Sequence, residues 1–293
     1  MFGIPKPKSF NVFSEMPRHF AKTGRSLWAD INLAGLEVGC FLEGPTFDLN
    51  GNLLVTDIPF GRVFRIDTGG QWSIVTEYDG WPNGMKTDGH GDLLIADHRL
   101  GLLHVSASTG NCEVLLNEIA GQPLLGLNDL TVAADGSIYT TDQGQTGVHD
   151  PRGRVLCVQA DRHAQILIGN GPSPNGLVFD RDKPWLYVAM TRGNAVWRIP
   201  LLDGAATKVG IAVQLSGGIG PDGLAVDGRG QLLVVQAPLW VWRFDRYGRP
   251  IDLWQAEDDS YVTNLVIRAE NGIEMMYVTD SIAGRILCTS IGG

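Results

Sequence analysis

Cysteine is scarce in this sequence of 293 residues. The four cysteines are far apart and form no C-x-x-C pair, which argues against a thiolate metal site. They are Cys40, Cys112, Cys157 and Cys288. We expect them to be small buried residues of strands rather than partners in a disulfide framework.

Basic charge is also in short supply. The sequence has 23 Lys and Arg against 32 Asp and Glu, a net charge of −9, and no basic run stands out. A nucleic-acid-binding protein needs a basic surface to neutralise phosphates, and docking on anionic lipid needs a basic patch. The composition therefore predicts neither a nucleic-acid partner nor a membrane partner, and it leaves the oligomeric state open.

Long apolar runs are missing as well. No run approaches the roughly 18 apolar residues that a membrane helix requires. The first eight residues, MFGIPKPK, lack the apolar centre of a signal peptide. We therefore expect a soluble, cytoplasmic protein.

Two common catalytic motifs do not occur. The sequence has no G-x-S-x-G nucleophile elbow, which argues against a serine hydrolase of the α/β type. Its glycine-rich stretch at 217–220 lacks the lysine and the strand-to-helix setting of a phosphate-binding loop.

What the sequence does contain is a sixfold repeat. A Glu, Asp or Asn opens a short apolar strand about every 40 to 47 residues, and a turn and a second strand follow each time. The six openings are Glu43, Asn83, Asn128, Asn175, Asp222 and Asn264. This spacing is typical of propeller blades, and the 38 glycines suit a fold with many tight turns.

The repeat predicts an all-β fold, a six-bladed β-propeller with four-stranded blades. A single small sheet is not stable alone, so the blades must pack around an axis. Because the last repeat ends with its third strand, we expect an N-terminal strand, residues 37–42, to close the ring. Residues 1–30 would then be an N-terminal extension and residues 31–293 a single propeller domain.

The innermost strands should bring the six opening side chains together at one mouth of the central channel. The loops between second and third strands open on that face, and the hairpin turns lie on the opposite face, where we expect no function. Each opening residue by itself is more simply a turn former. Six oxygen-bearing side chains at one position instead predict a divalent cation, with Ca²⁺ favoured over Mg²⁺, Mn²⁺ or Zn²⁺.

The motifs also resemble a known family. Glu43-Gly-Pro, Asn128-Asp, Pro-Asn175-Gly and Pro-Asp222-Gly, in that order, are similar to the gluconolactonase/regucalcin (senescence marker protein) family and to the related diisopropyl-fluorophosphatase. The resemblance implies a six-bladed propeller with a divalent cation held by those four residues. Asn83, in its own Pro-Asn-Gly, is similar to the bacterial gluconolactonase branch and would line the substrate pocket.

The resemblance further implies a lactonase, a hydrolase acting on a carboxylic ester bond. The cation would polarise the lactone carbonyl, and Asp222 would act as general base toward water, with a covalent role for Asp222 as the less favoured alternative. Regucalcin-type members carry an arginine that contacts the sugar two residues before the third-blade asparagine, where this sequence has Gly126. A less polar lactone or an ester is therefore open as the substrate.

Loop residues around the mouth are further candidates for binding substrate. They are Phe60, His98, Arg99, Gln143 and His149. Asp57, Asp97, Asp142 and Asp280 recur at the end of the second strand, which predicts a shared structural role. Asp129 should support the cation ligands from behind.

Two other functions fit the same pattern. A phosphotriester or fluorophosphate hydrolase could use the same cation to polarise P=O. A non-catalytic propeller could bind a metabolite or a peptide at its rim. Condensation of the strictosidine-synthase type is more remote, because such propellers usually lack the acidic ligands.

Overall fold

Six small antiparallel sheets surround a central axis in the computed structural model, which describes residues 3–106 and 108–292. The predicted six-bladed β-propeller is confirmed. The strands of blades 1 to 3 are Leu42–Phe47, Leu53–Asp57, Arg62–Ile66 and Trp72–Glu77; Pro82–Thr87, Leu93–Asp97, Gly101–Val105 and Cys112–Leu116; and Leu127–Val132, Ile138–Asp142, Gly153–Val158 and Ala164–Gly171. Those of blades 4 and 5 are Pro174–Phe179, Trp185–Met190, Ala195–Leu202 and Gly210–Gln214; and Gly220–Val226, Leu232–Ala237, Trp240–Phe244 and Pro250–Gln255.

Blade 6 joins the two ends of the chain. Its strands Val262–Glu270, Ile273–Asp280 and Arg285–Ser290 are completed by Asn11–Glu15, which pairs with the third of them. An N-terminal strand thus closes the ring, but the prediction that residues 37–42 supply it is wrong. Leu42 already pairs with Asp57 at the start of blade 1, so that segment is not free to reach the edge of blade 6.

The segment after the closing strand crosses the face at which the opening residues lie. It contains the short helices Arg18–Phe20 and Leu27–Asn32, and the second begins with Ser26 accepting a hydrogen bond from Ala29 N. Trp28 packs on Phe41 with ring centroids 4.6 Å apart. Part of the N-terminal region therefore covers one side of the channel mouth.

The remaining elements are small. They are the strand pair Glu118–Ile119 and Gln122–Pro123, the strand Ala205–Ala206, and the 3-10 turns Ile58–Phe60 and Thr191–Gly193. None of the helices in the described part of the chain is long and apolar enough to cross a membrane.

Apolar side chains between neighbouring blades form the core. Leu42, Val55 and Phe64 of blade 1, for example, pack in one cluster with Tyr277 and Ile286 of blade 6. This burial of blade against blade stabilises sheets that are too small to fold alone.

The cysteines are free. Cys40 and Cys157 are buried, as predicted, whereas Cys112 is exposed on the outermost strand of blade 2 and Cys288 is half-buried.

Candidate metal centre

A β-bulge lies at the same place in all six innermost strands. In blade 2, for example, Pro82 pairs with Asp97 and Met85 with Ile95, so three residues advance on one strand against two on its partner. The other five innermost strands show the same shift. Bulges re-aim side chains, and here they act at the opening residues of the repeat.

The register around the bulge corrects one member of the predicted set. Asn83 directly follows the residue that pairs with the end of the second strand, as do Asn128 and Asn175. In blade 6 that paired residue is Val262, so the equivalent position is Thr263 and Asn264 is one residue further on. The longer hairpin of blade 6 concealed this shift in the sequence.

The four residues predicted to hold a cation present oxygen atoms. Asn128 donates its Nδ2 to Gln143 Oε1 at 2.9 Å, which leaves the Asn128 amide oxygen available as an acceptor. Asn175 donates its amide N–H to the Asp222 carboxylate, which likewise leaves the Asn175 amide oxygen available. Two amide oxygens and the carboxylates of Glu43 and Asp222 make a donor set of hard oxygen atoms.

The electrostatics of these carboxylates favour a cation. Burial is the main cause that raises the pKa of Asp222, and the charges of Glu43 and Asp129 raise it further. Burial likewise raises the pKa values of Glu43 and of Asp129. Three buried acids that repel one another are stabilised in their charged form by a divalent cation, so the residues present fit such an ion.

Asp129 and Asn264 occupy the same register in blades 3 and 6 and meet beneath the opening residues. Their side chains hydrogen-bond each other, and Asn264 Nδ2 also donates to Glu43 Oε2 at 2.9 Å. The other four blades have glycine at this register. They are Gly44, Gly84, Gly176 and Gly223. The sequence predicts Asp129 behind the ligands, and its hydrogen bond with Asn264 across the channel agrees with that position.

Glycine is required at this level because residues of the neighbouring blade are so close. A Cβ on Gly84 would lie 2.1 Å from Asp129 Oδ1 and 2.5 Å from Asp129 Cα. A Cβ on Gly223 would lie 2.2 Å from Asn264 Oδ1. The two polar side chains of this level therefore fill space that four glycines leave open.

Threonines of the second strands hold the opening residues of the next blade. Thr56 Oγ1 donates to Asn83 O at 2.7 Å, and Thr141 Oγ1 donates to Asn175 O at 2.8 Å. Thr141 Oγ1 also accepts a hydrogen bond from Asp129 N at 3.0 Å. These buried bonds couple the position of one blade's site residue to its neighbour.

A cavity of about 370 Å³ lies beside the predicted ligands. Gln143 and His149, both predicted to bind substrate, line it on the third-blade loop. Gln143 connects this cavity to the candidate metal centre. The Gln143 Nε2 donates to Ser173 Oγ at 3.0 Å, and the Gln143 Oε1 accepts a hydrogen bond from Asn128. Ser173 was not singled out in the sequence, and its positive φ of 64° gave no sequence signal.

The helix Leu27–Asn32 also contributes to this cavity. Asn32 lines it and accepts a hydrogen bond from Gln145 Nε2 at 3.2 Å. No role at the site was predicted for the N-terminal region, because nothing local in its sequence marks a long-range contact with the third-blade loop.

His98 occupies the space that Gly126 leaves. A Cβ at residue 126 would lie 2.5 Å from His98 Cε1. The imidazole also contacts Trp81, with ring centroids 5.9 Å apart, and burial lowers the pKa of His98. The position at which regucalcin-type members carry arginine is thus covered here by a neutral imidazole.

Phe60 and Arg99 lie apart from Gln143 and His149. They line a different cavity of about 590 Å³, between the loops of blades 1 and 2. The Arg99 guanidinium is 2.6 Å from Asp79 and lies over the Trp81 ring. Their predicted contact with substrate gains no support from this placement.

Three of the four recurring aspartates at the ends of the second strands share one structural role, whereas Asp97 Oδ1 accepts hydrogen bonds from Arg99 N and Leu100 N in its own loop. Asp142 Oδ1 accepts hydrogen bonds from Leu125 N and Gly126 N at 2.7 and 2.9 Å, and its other oxygen pairs with Arg154. Asp57 and Asp280 make equivalent bonds to the chain just before their own innermost strands. They order the peptides that lead into the site.

One further group of side chains of metal-ligating type lies on the opposite face, at the hairpin of blade 2. Asp88, Asp92 and His104 bring ligand atoms within 4.8 Å of one another. Asp88 Oδ1 already accepts backbone hydrogen bonds from His90 and Asp92, as in an ordinary turn.

Comparison with known proteins supports the family resemblance. The sequence model described as "SMP-30/Gluconolactonase/LRE-like region" matches residues 41–282. The chain belongs to this family. The predicted resemblance is therefore confirmed.

Individual relatives agree with the assignment. "Lactonase drp35" of Staphylococcus aureus (strain USA300) is 26% identical over 277 residues, covering 85% of this chain and 82% of that protein. A gluconolactonase structure from Xanthomonas campestris superposes with a TM-score of 0.76 at 22% identity, covering 96% of this chain and 98% of the other. Regucalcin from Agrobacterium tumefaciens, named a calcium-binding protein, gives a TM-score of 0.74 at 20% identity, with 87% and 92% covered. The two structural likenesses carry the fold alone.

Proposed function

We propose that this chain hydrolyses lactones with the help of one divalent cation. The family includes proteins named lactonase and gluconolactonase, which are hydrolases of carboxylic ester bonds. The observation that carries the proposal is the cluster of oxygen donors from four blades, with three mutually repelling buried acids.

Glu43, Asn128, Asn175 and Asp222 would hold the cation, and Ca²⁺ is the preferred candidate because every donor is a hard oxygen. When bound, such an ion polarises the carbonyl of a lactone and stabilises negative charge on its oxygen.

The chain's own residues divide the remaining tasks. Asp222 is the candidate general base, because its carboxylate is largely but not fully buried and accepts a hydrogen bond from Asn175. Gln143 orients the Asn128 amide. Asn83, His98 and His149 are the candidate contacts for substrate, and His98 would face it as a neutral group, since burial lowers its pKa.

Removal and return of metal tests this function. The protein is dialysed against a chelator, and acid release from a panel of lactones is followed while Ca²⁺, Mg²⁺, Mn²⁺ or Zn²⁺ is added back. We expect hydrolysis only with metal. Hydrolysis of phosphotriesters but of no lactone would favour the alternative substrate, and no hydrolysis at all would favour a binding propeller.

A substitution separates the base from the fold. Asp222→Asn should lower kcat by about 100-fold or more while the protein stays folded. Asp182→Asn, in an exposed turn of blade 4 on the opposite face, is the matched control and should keep full activity. Full activity in the Asp222 variant would refute its assignment as base.

A further inference from the structure

The cavity beside the candidate metal centre differs from the channel in charge. No residue that lines it in the described part of the chain carries a carboxylate. Its polar groups are neutral amides and hydroxyls, with His149 and the cation Arg192. The channel a few residues away holds three buried acids, so the two halves of the site have opposite electrostatic character.

The short turn Thr191–Gly193 places Arg192 at the wall of the cavity. Thr191 Oγ1 donates to Pro221 O at 2.8 Å, which ties the turn to the residue before Asp222. Arg192 lines the cavity together with Gln143 and Ser173, and Gln143 accepts a hydrogen bond from Asn128 at the candidate centre. Arg192 therefore lies in the cavity that adjoins the candidate active site.

Arg192 also differs from the other arginines in and beside the loops that connect second and third strands. Each of those is paired with an acid: Arg62 with Asp57, Arg99 with Asp79, Arg152 with Asp150, Arg154 with Asp142 and Arg285 with Asp280. Arg192 is exposed and has no ion-pair partner among residues 3–106 and 108–292. Of the arginines in these loops, it alone has a free guanidinium directed to a cavity.

We propose that the preferred substrates are lactones that carry an anionic group, and that Arg192 binds this group. A guanidinium recognises a carboxylate or a phosphate through two parallel hydrogen bonds. With the anionic group in the cavity, Gln143 and Ser173 lie between it and the lactone ring at the centre. The inference names the substrate class of the proposed lactonase and rests on that function.

The test compares two lactones that have the same ring, one of them anionic and the other neutral. Glucaro-1,4-lactone carries a free carboxylate where glucono-1,4-lactone has a neutral hydroxymethyl group. We expect kcat/KM to be about tenfold higher for the carboxylated lactone, an effect of the size of one charge-assisted hydrogen bond at an exposed site. A phosphorylated gluconolactone, run in parallel, shows which anionic group is preferred.

Arg192→Gln should abolish the preference by raising KM for the anionic lactone about tenfold relative to KM for the neutral lactone. Arg192→Lys should keep part of the preference. Arg181→Gln, exposed in the hairpin of the same blade on the opposite face, is the matched control. A second readout is inhibition of neutral-lactone hydrolysis by glucarate, whose Ki should rise about tenfold in Arg192→Gln only.

The outcomes separate the two claims. Equal kcat/KM for the two lactones in the wild type, or a preference that persists in Arg192→Gln, would overturn the anionic substrate class and leave the lactonase function standing. Absence of metal-dependent hydrolysis of every lactone would overturn the proposed function together with this inference.

Discussion

Thr141→Val is the sharpest test of how the fold positions the candidate centre. The substitution keeps the shape of a fully buried side chain and removes its hydroxyl. That hydroxyl accepts from Asp129 N at 3.0 Å and donates to Asn175 O at 2.8 Å, so its loss leaves a donor in blade 3 and an acceptor in blade 4 without this partner.

The expected cost follows from those two groups. A buried polar group left unpaired costs about 1–3 kcal/mol, so the loss of partners for two such groups should lower the free energy of unfolding by roughly 2–6 kcal/mol. For a chain of this size that corresponds to a melting temperature lower by roughly 3–10 °C. Affinity for the divalent cation should fall as well, because Asn175 is one of the candidate ligands.

Thermal unfolding and calorimetric metal titration measure both effects. Thr131→Val is the matched control, since Thr131 lies half-buried at the far end of the same blade's innermost strand. Its stability should stay within about 0.5 kcal/mol of the wild type. Equal melting temperatures and equal metal affinities for the two variants would refute the account of Thr141 as a link between blades.

Two further substitutions test close contacts at the site. Gly84→Ala should lower the free energy of unfolding by about 1–3 kcal/mol, because its Cβ would meet Asp129 Cα at 2.5 Å. Gly89→Ala is the control, since a Cβ there has open space around it and should leave stability unchanged. Equal urea midpoints for the two variants would contradict this. Gly126→Ala should displace the His98 ring and bring the pKa of His98 back toward its ordinary value, since burial lowers it now. Proton NMR titration would show this, and an unchanged pKa would count against the contact.

The sequence was sufficient to predict the architecture. Each blade repeats a short-range pattern of apolar strand, turn and opening acid or amide, and patterns of this kind can be read along the chain. The same register predicted that the six openings occupy equivalent positions, and the strand pairing bears this out for five of them.

What the sequence did not reveal depends on contacts between distant segments. Nothing local distinguishes Asn11–Glu15 from residues 37–42 as the closing strand, because either is a short stretch before the first blade. The sequence predicts Asn264 rather than Thr263 at the equivalent position of blade 6 because the hairpin of that blade is longer. A change in hairpin length shifts the residue count within a repeat without altering its pattern of residue types. The contact between Asp129 and Asn264 across the channel needs the closed ring to exist.

Direct measurement of metal binding tests the central claim, that four blades supply the ligands of one divalent cation. Calorimetric titration of chelator-treated protein with Ca²⁺ should give one site per chain. Glu43→Gln should weaken it by about tenfold or more, whereas Asn83→Ala, at the same register but outside the ligand set, should leave affinity within about twofold. No saturable binding in the wild type, or equal affinity in Glu43→Gln, would contradict the account.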